Sequence, residues 1–166
     1  MWSEVSERYA SEPAKQEVIK FILERGYSVD EELGIHSDGI KLQNSEIAVA
    51  IGVDRRTVNK TVESILDDDE IRTVFENLTS IPFLREAAPV LDLHVIEVQV
   101  SDAEETGLLS KLSQVFADND VLIRQAIVED PYFSDQPTFI AIIENFENEL
   151  ITDLKTMDFV ETVVYT

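Results

Sequence analysis

The spacing of the apolar residues changes near the middle of this chain, and that change limits the folds that the chain can adopt. Before residue 82 apolar side chains recur at the spacing of helices, as Val18 and Ile22 do. After residue 90 stretches of strict alternation, typical of strands, take turns with stretches of helical spacing. Pro82 and Pro89 separate the two patterns and disfavour helix in the residues before them. The predicted division is a helical domain at residues 1–81, a linker at 82–90 and a mixed domain at 91–166.

The second pattern predicts the order strand, helix, strand, strand, helix, strand. Residues 91–101 alternate, with Leu93 and Val95 on one of the two faces. Residues 106–119 carry apolar side chains on one helical stripe. The remaining predicted elements are strands at 121–129 and 138–144, a helix at 147–157 and a strand at 160–166. This order closes as a four-stranded antiparallel sheet with both helices on one face, so we expect the other face, with Leu93 and Val95, to be open.

Helical patterns also organise the first half of the chain. Trp2, Val5 and Tyr9 are spaced as in one helix, and a second helix is predicted from residue 12 to a stop at Gly26. Residues 27–43 contain glycines and only scattered apolar side chains, so they predict a loop or a short hairpin. A last amphipathic stretch consists of Ile71, Val74, Phe75 and Leu78.

The stretch SEIAVAIGVDRRTVNKTVESIL, residues 45–66, has the pattern of two short helices joined by a tight turn. Gly52 permits the bend, and Ala48 is small enough for the helices to approach closely. The apolar residues that fill the crossing point are Ile47, Ile51, Val53 and Val58. This is the helix-turn-helix arrangement. The predicted fold class is therefore α+β, a helical helix-turn-helix domain followed by a ferredoxin-like βαββαβ domain.

One arc of the second of these helices is basic and polar. Asp54 is placed to cap the helix, whose first turn then presents Arg55 and Arg56, side chains that fork onto guanine edges or phosphates. Asn59, one turn further on, suits adenine. Such modules also serve as packing or dimerisation units, and that alternative remains open. The candidate DNA-contacting residues are Arg55, Arg56, Thr57, Asn59 and Lys60.

The charge of the whole chain opposes DNA binding. There are 13 Lys and Arg against 34 Asp and Glu, a net charge of -21. The charged residues are spread along the chain, which indicates a solvated acidic surface and favours a very salty cytoplasm or an acidic partner-binding surface. Salt screens a net charge within about 3 Å at 1 M, whereas a recognition helix needs only local positive groups. DNA therefore stays a predicted partner, provided that base-edge contacts and dimerisation carry the binding.

Several functions are excluded or disfavoured by composition. The absence of cysteine excludes disulfides, thiolate metal sites and a cysteine nucleophile. His36 and His94 are too far apart in sequence to suggest a shared metal site, and no catalytic grouping is present, so we expect no metal, no cofactor and no enzyme. No apolar run is long enough for a membrane span, and the first residues do not resemble a signal peptide, so we expect a cytoplasmic protein.

Residues 91–166 resemble the ACT domain, a small-molecule sensing module. The most specific part of the match is SDAEETGLLSKLSQVFADNDVLIRQAIVED, in which a loop ends in glycine before an apolar helix. The resemblance implies that an amino acid binds at a dimer interface, between this loop and the start of the second strand of the facing subunit. The residues implied are Asp102, Glu104, Thr106, Gly107, Leu108 and Leu122.

This sequence departs from the ACT pattern at two positions. Thr106 replaces the usual proline, and we expect Thr106 to cap the following helix. Leu122 stands where asparagine is frequent, which favours an apolar ligand such as a branched or aromatic amino acid, or a vestigial site.

With its helix-turn-helix, the whole chain resembles archaeal ACT-containing proteins predicted to regulate amino-acid metabolism. The resemblance implies a homodimeric transcriptional regulator with DNA and a small-molecule effector as partners. Two alternatives remain open. One is a feast/famine-type transcriptional regulator, which also joins a helix-turn-helix to a βαββαβ domain. The other is an allosteric amino-acid-binding subunit that does not touch DNA.

Overall fold

The computed structural model describes residues 8–130, 134 and 136–166. The chain divides into two compact units, Met1–Pro82 and Phe83–Thr166. Trp2 and Val5, predicted in a first helix, lie outside the described residues, as do residues 131–133 and 135 in the loop predicted between two strands. In the described parts no helix is long and apolar enough to cross a membrane.

The first unit combines four described helices with a small sheet. Apolar positions at helical spacing form its helices, as the sequence predicts, and they bury Val18 and Ile22 of the first helix completely. Its elements are α1 Pro13–Glu24, β1 Ser28–Asp30, β2 Gly34–Ser37, β3 Ile40–Lys41, α2 Asn44–Ile51, α3 Arg55–Leu66 and α4 Asp69–Glu76.

Residues 27–43, for which the sequence left a loop or a short hairpin open, form an antiparallel sheet of order β1-β2-β3. Asp38 and Gly39 connect β2 to β3 with positive φ angles of 49° and 79°. Two such residues are typical of the tight turn that matches the twist of a hairpin. The turn sets the register so that His36 lies opposite Lys41.

The end of α1 is fixed by a close approach of the backbone. Gly26 has a φ of 62°, and a Cβ at this position would overlap the carbonyl group of Thr79. The Ser80 hydroxyl donates to the carbonyl oxygen of Arg25 at 2.9 Å, which holds the end of the unit against the end of α1. The predicted stop at Gly26 is therefore a packing requirement as well as a helix ending.

The second unit has the predicted ferredoxin-like βαββαβ order. Its sheet is antiparallel throughout, and in space its four strands, counted along this unit, lie in the order second, third, first, fourth. Both helices lie on one face, where Leu112 and Phe116 of the first and Leu150 of the second pack against Ile96 and Val98 of the central strand. The elements are a 3-10 helix Ala88–Leu91, β4 His94–Val100, α5 Leu108–Asp118, β5 Ile123–Val128, β6 Thr138–Ile143, α6 Asn148–Lys155 and β7 Val160–Tyr165.

The other face of this sheet is not open, and the expectation of an exposed Val95 is wrong. Residues 84–91, which we call the strap, turn back across this face and bury Ala88 against Val95, whose exposed fraction is 2%. Leu84 N–H donates to the Gln125 side chain on β5 at 2.9 Å. Arg85 donates twice to Glu97 on β4, at 2.9 and 2.8 Å. Residues 83–90, assigned to a linker from the sequence, thus lie within the second unit.

Candidate nucleic-acid interface and ligand pocket

The turn between α2 and α3 has the geometry that the sequence predicts. Helix α2 ends at Ile51 and is capped by Gly52, which has a φ of 72°, and Val53 N–H donates back to the carbonyl oxygen of Ala48 at 3.0 Å. Asp54 then accepts a hydrogen bond from the backbone N–H of Arg56 at 2.7 Å and caps α3. Three residues therefore separate two helices whose ends are both fixed.

Packing determines which side of α3 faces outward. Ile47 and Ala48 of α2 are buried in the same core cluster as Val58 and Ile65 of α3. Thr61 is buried on this side as well, and its hydroxyl donates to the carbonyl oxygen of Thr57 at 2.8 Å. Because this side is fixed in the core, the opposite side of α3 is presented to solvent.

The outward side carries the predicted DNA-contacting residues. Arg55, Arg56 and Lys60 are exposed, whereas Thr57 and Asn59 are half-buried. Glu63 is also exposed and follows one turn after Asn59, so the basic surface is limited to the first two turns of α3. We call Arg55, Arg56 and Lys60 the basic face of α3.

The basic face is unusual because most cations of this chain are engaged by carboxylates. Eight of the 13 Lys and Arg form ion pairs: Arg8, Lys15, Lys20, Arg25, Arg72, Arg85, Lys111 and Arg124. Within the described residues, no ion pair is formed by Lys41, Lys155 or the three members of the basic face. Lys155 lies in the last turn of α6, where the helix dipole favours a cation. The basic face lies in the first two turns of α3, where the helix dipole does not favour a cation.

Asn59 has a contact that the sequence did not suggest. Its carboxamide oxygen accepts a hydrogen bond at 2.9 Å from the side chain of Asn44, the first residue of α2. The bond ties the two helices of the turn motif together, so Asn59 holds α3 in position and its oxygen is already in use. Asn44 is the residue that sequence reasoning missed here. Its position at a helix start, fifteen residues before another Asn, gave no distinctive signal.

A mostly apolar pocket of about 280 Å³ lies in the second unit, between the start of α5 and the β5–β6 end of the sheet. Of the six predicted ligand residues, Gly107 and Leu108 line it. Its other lining residues include Val100, Ala103, Glu105, Leu109, Val128, Thr138 and Phe139. The volume fits a small apolar side chain, and Glu105 supplies one charged group at the wall.

The other four predicted ligand residues are not among the residues that line this pocket. Asp102 accepts a hydrogen bond from Glu104 N–H at 3.0 Å and so stabilises the loop itself. Thr106 makes no cap, contrary to expectation, because Gly107 occupies the cap position of α5 with a φ of 89°. Leu122 is 60% exposed before the start of β5, at the opposite end of the strand from Val128. Within one protomer the structure therefore does not bring Leu122 to this pocket.

Glu105 is the charged pocket residue that sequence reasoning missed. It pairs with Lys111 of α5 at 3.0 Å, so its carboxylate is held at the pocket entrance by the helix. Only a faint signal was present in the sequence, since a lysine six residues after an acid falls within reach only if a turn precedes the helix.

Asp30 on β1 and His36 on β2 form a polar pair within the small sheet of the first unit. Asp30 lies 2.9 Å from His36 Nε2 and also accepts the backbone N–H of Leu33 at 2.6 Å. The Leu33 N–H, with the neighbouring His36 contributing less, holds the pKa of Asp30 below its usual value. In the described residues no group of three His, Asp or Glu is placed to hold a metal ion.

No protein-family model matches the sequence, and no curated protein matches it. Among solved structures, the ACT domain of the GTP pyrophosphokinase of Chlorobium tepidum is similar over 45% of this chain and 84% of its own length, at 22% identity and a TM-score of 0.34. An AsnC family transcriptional regulator from Agrobacterium tumefaciens is similar over 92% of this chain and 86% of its own, at 8% identity and a TM-score of 0.30. A Pyrococcus furiosus member of the same family is similar over 92% and 85%, at 16% identity and a TM-score of 0.26. Because these identities and TM-scores are low, the function of this chain has to follow from its own residues.

Proposed function

We propose that this chain is a transcriptional regulator that binds DNA through the basic face of α3 and a small-molecule effector through its second unit. One observation carries the proposal. In a chain whose cations are mostly paired with carboxylates, three cations without such a partner among the described residues share the exposed side of the second helix of a helix-turn-helix. An external polyanion supplies the missing partner.

Local charge decides whether such a surface binds DNA, despite the net charge of -21. The Debye length is about 10 Å at 0.1 M salt and about 3 Å at 1 M, so distant carboxylates are screened while a contacting arginine is not. Arg55 and Arg56 lie in the first turn of α3, from which recognition helices contact base edges. Each well-formed arginine–guanine contact contributes about 1 to 3 kcal/mol of discrimination.

The effector proposed is an amino acid with an apolar side chain, and the process regulated is amino-acid metabolism. The pocket beside Gly107 offers apolar walls for the side chain, and Glu105 is positioned to accept an ammonium group in competition with Lys111. We also propose a cytoplasmic homodimer that joins through the second units. A two-fold assembly would present two copies of α3 to a two-fold DNA site.

The DNA-binding proposal is tested by replacing the two arginines of the basic face. Operator fragments are first selected from genomic DNA with the wild-type chain, and occupancy is then measured for Arg55→Ala/Arg56→Ala. We expect at least a ten-fold loss of affinity for the selected site and a smaller loss for random DNA, because base readout and phosphate contact are both removed.

The matched control is Lys20→Ala/Arg124→Ala, which changes the net charge equally but removes cations that pair with Glu24 and Glu144. We expect this variant to keep wild-type affinity. Equal affinity of both double variants, with the fold retained, would contradict the proposal. No retention of the wild type on DNA at any salt would favour the allosteric subunit that touches only protein partners.

A further inference from the structure

The hairpin formed by β2 and β3 carries a cation that the proposed function has not used. Lys41 is exposed, and no carboxylate partner for it is present among the described residues. Asp30, which lies on β1 at the far side of β2, is occupied by His36 and by the Leu33 N–H. The residue before Lys41, Ile40, is 70% exposed although it is large and apolar. Because successive side chains of a strand point to opposite faces, β3 presents an unpaired ammonium group on one face and an uncovered apolar side chain on the other.

A short segment of chain connects this hairpin to α3 through Asn44. Leu42, which follows β3, is fixed by its N–H bond to the carbonyl oxygen of Ile35 at 2.8 Å and packs against the core of the first unit. Two residues further on, Asn44 donates to Asn59 on α3. At roughly 3.3 Å per residue, Lys41 lies within about 10 Å of Asn44 along the chain. This short connection limits the distance between Lys41 and the start of α2, where Asn44 is bonded to α3.

The distribution of paired and unpaired cations in the first unit supports a single DNA-binding surface that includes Lys41 and the basic face. Arg8, Lys15, Lys20, Arg25 and Arg72 each pair with a carboxylate. Lys41 and the basic face account for the other four cations of the unit, and none of these four has an ion pair within the described residues. Two acids, Asp38 at the turn and Glu46 on α2, are exposed nearby in sequence and limit how far the surface extends.

We propose that the β2–β3 hairpin is a second DNA-contacting element, in which Lys41 binds a backbone phosphate beside the groove that receives α3. This inference rests on the proposed function and adds a contact that positions the protein without reading sequence. The proposed occupant is a DNA phosphodiester.

The test is the salt dependence of DNA affinity for Lys41→Ala in the full chain. Each phosphate contact contributes about 0.9 to the slope of log K against log salt concentration. We expect the slope to decrease by about that amount, so that affinity falls about eight-fold at 0.1 M salt and hardly at all near 1 M. Preference for the selected site over random DNA should not change. Lys20→Ala, which removes a paired lysine of the same unit, should leave the slope unchanged.

The possible results separate this inference from the proposed function. If the wild type binds DNA and depends on Arg55 and Arg56, an unchanged slope in Lys41→Ala overturns the hairpin contact alone. If the wild type binds no DNA, both proposals fall. Thermal unfolding of Lys41→Ala shows whether the substitution lowers the stability of the protein. If it does, Lys41→Arg, which keeps the charge, decides the question: a wild-type salt slope supports the contact, and a smaller slope contradicts it.

Discussion

Asn59 illustrates how a single side chain limits what the sequence alone can predict. Its place on the outer arc of α3 made it a candidate reader of adenine, which requires both ends of the carboxamide. The bond from Asn44 engages the oxygen, so reading adenine in this way would require that bond to be shared or broken. Arg55 and Arg56 have no such internal bond among the described residues, and they remain the better candidates for base contact.

At the residue scale, Asp30 gives a prediction about acid stability. Because the pKa of Asp30 is lowered in the folded state, chiefly by the Leu33 N–H, its contribution to stability is present above about pH 4 and is lost as the pH falls through the lowered pKa. We expect the free energy of unfolding of Asp30→Asn to decrease less than that of the wild type as the pH falls below about 4. Denaturant unfolding at a series of pH values measures this. Asp38→Asn, at the exposed turn, is the control, and parallel pH curves for wild type and Asp30→Asn would refute the prediction.

At the scale of elements, long periodic segments could be predicted and short or returning ones could not. The alternation over β4 and the helical stripe of α5 were sufficient for the βαββαβ order, and Gly52 with Asp54 was sufficient for the helix-turn-helix. β1 and β3 have only three and two residues, too few for a period to appear. The strap was missed for another reason. Alternation shows which residues share a face, but not that the preceding segment folds back over that face.

Gly26 provides the prediction at this scale, because it joins the end of α1 to residues 79–80. Alanine at position 26 must adopt a positive φ and also overlap the Thr79 carbonyl. We expect Gly26→Ala to lower the free energy of unfolding by more than about 1 kcal/mol beyond the cost of the backbone angle alone. Gly39→Ala is the matched control, since its φ is 79° but nothing lies within 4 Å of the added Cβ. Equal losses in the two variants, measured by chemical denaturation, would show that the overlap relaxes without cost.

At the scale of the whole molecule, the strap changes which surfaces remain for assembly. A sheet with one bare face would pair through that face, but here Ala88 already covers Val95, Ile140 and Ile142. The strands at the two edges, β5 and β7, pair with no further strand on their outer sides in the part of the chain that the structure describes. Edge strands present free backbone groups, so the proposed homodimer has its available hydrogen bonds there.

Effector binding is the prediction at this scale. In calorimetry against the amino acids, we expect heat with branched or aromatic ones, and a change of DNA affinity of about 5- to 150-fold when the effector is present. Ala103→Leu, which fills the pocket from its wall, should abolish both effects. Leu122→Ala alters an exposed residue away from the pocket and should preserve them. Loss of binding in Leu122→Ala but not in Ala103→Leu would instead locate the effector at an interface between subunits.

The contrast between the basic face and the acidic remainder of the chain also has a consequence for the encounter with DNA. With 34 acidic residues against 13 basic ones, most orientations in which the molecule meets a duplex bring like charges together. Such encounters are repelled before contact, and the approach that leads with the start of α3 is the one least opposed. If the proposed DNA binding holds, the acidic surface acts at low salt as an orientational filter, which lowers the frequency of collisions but raises the fraction of them that lead to a bound complex.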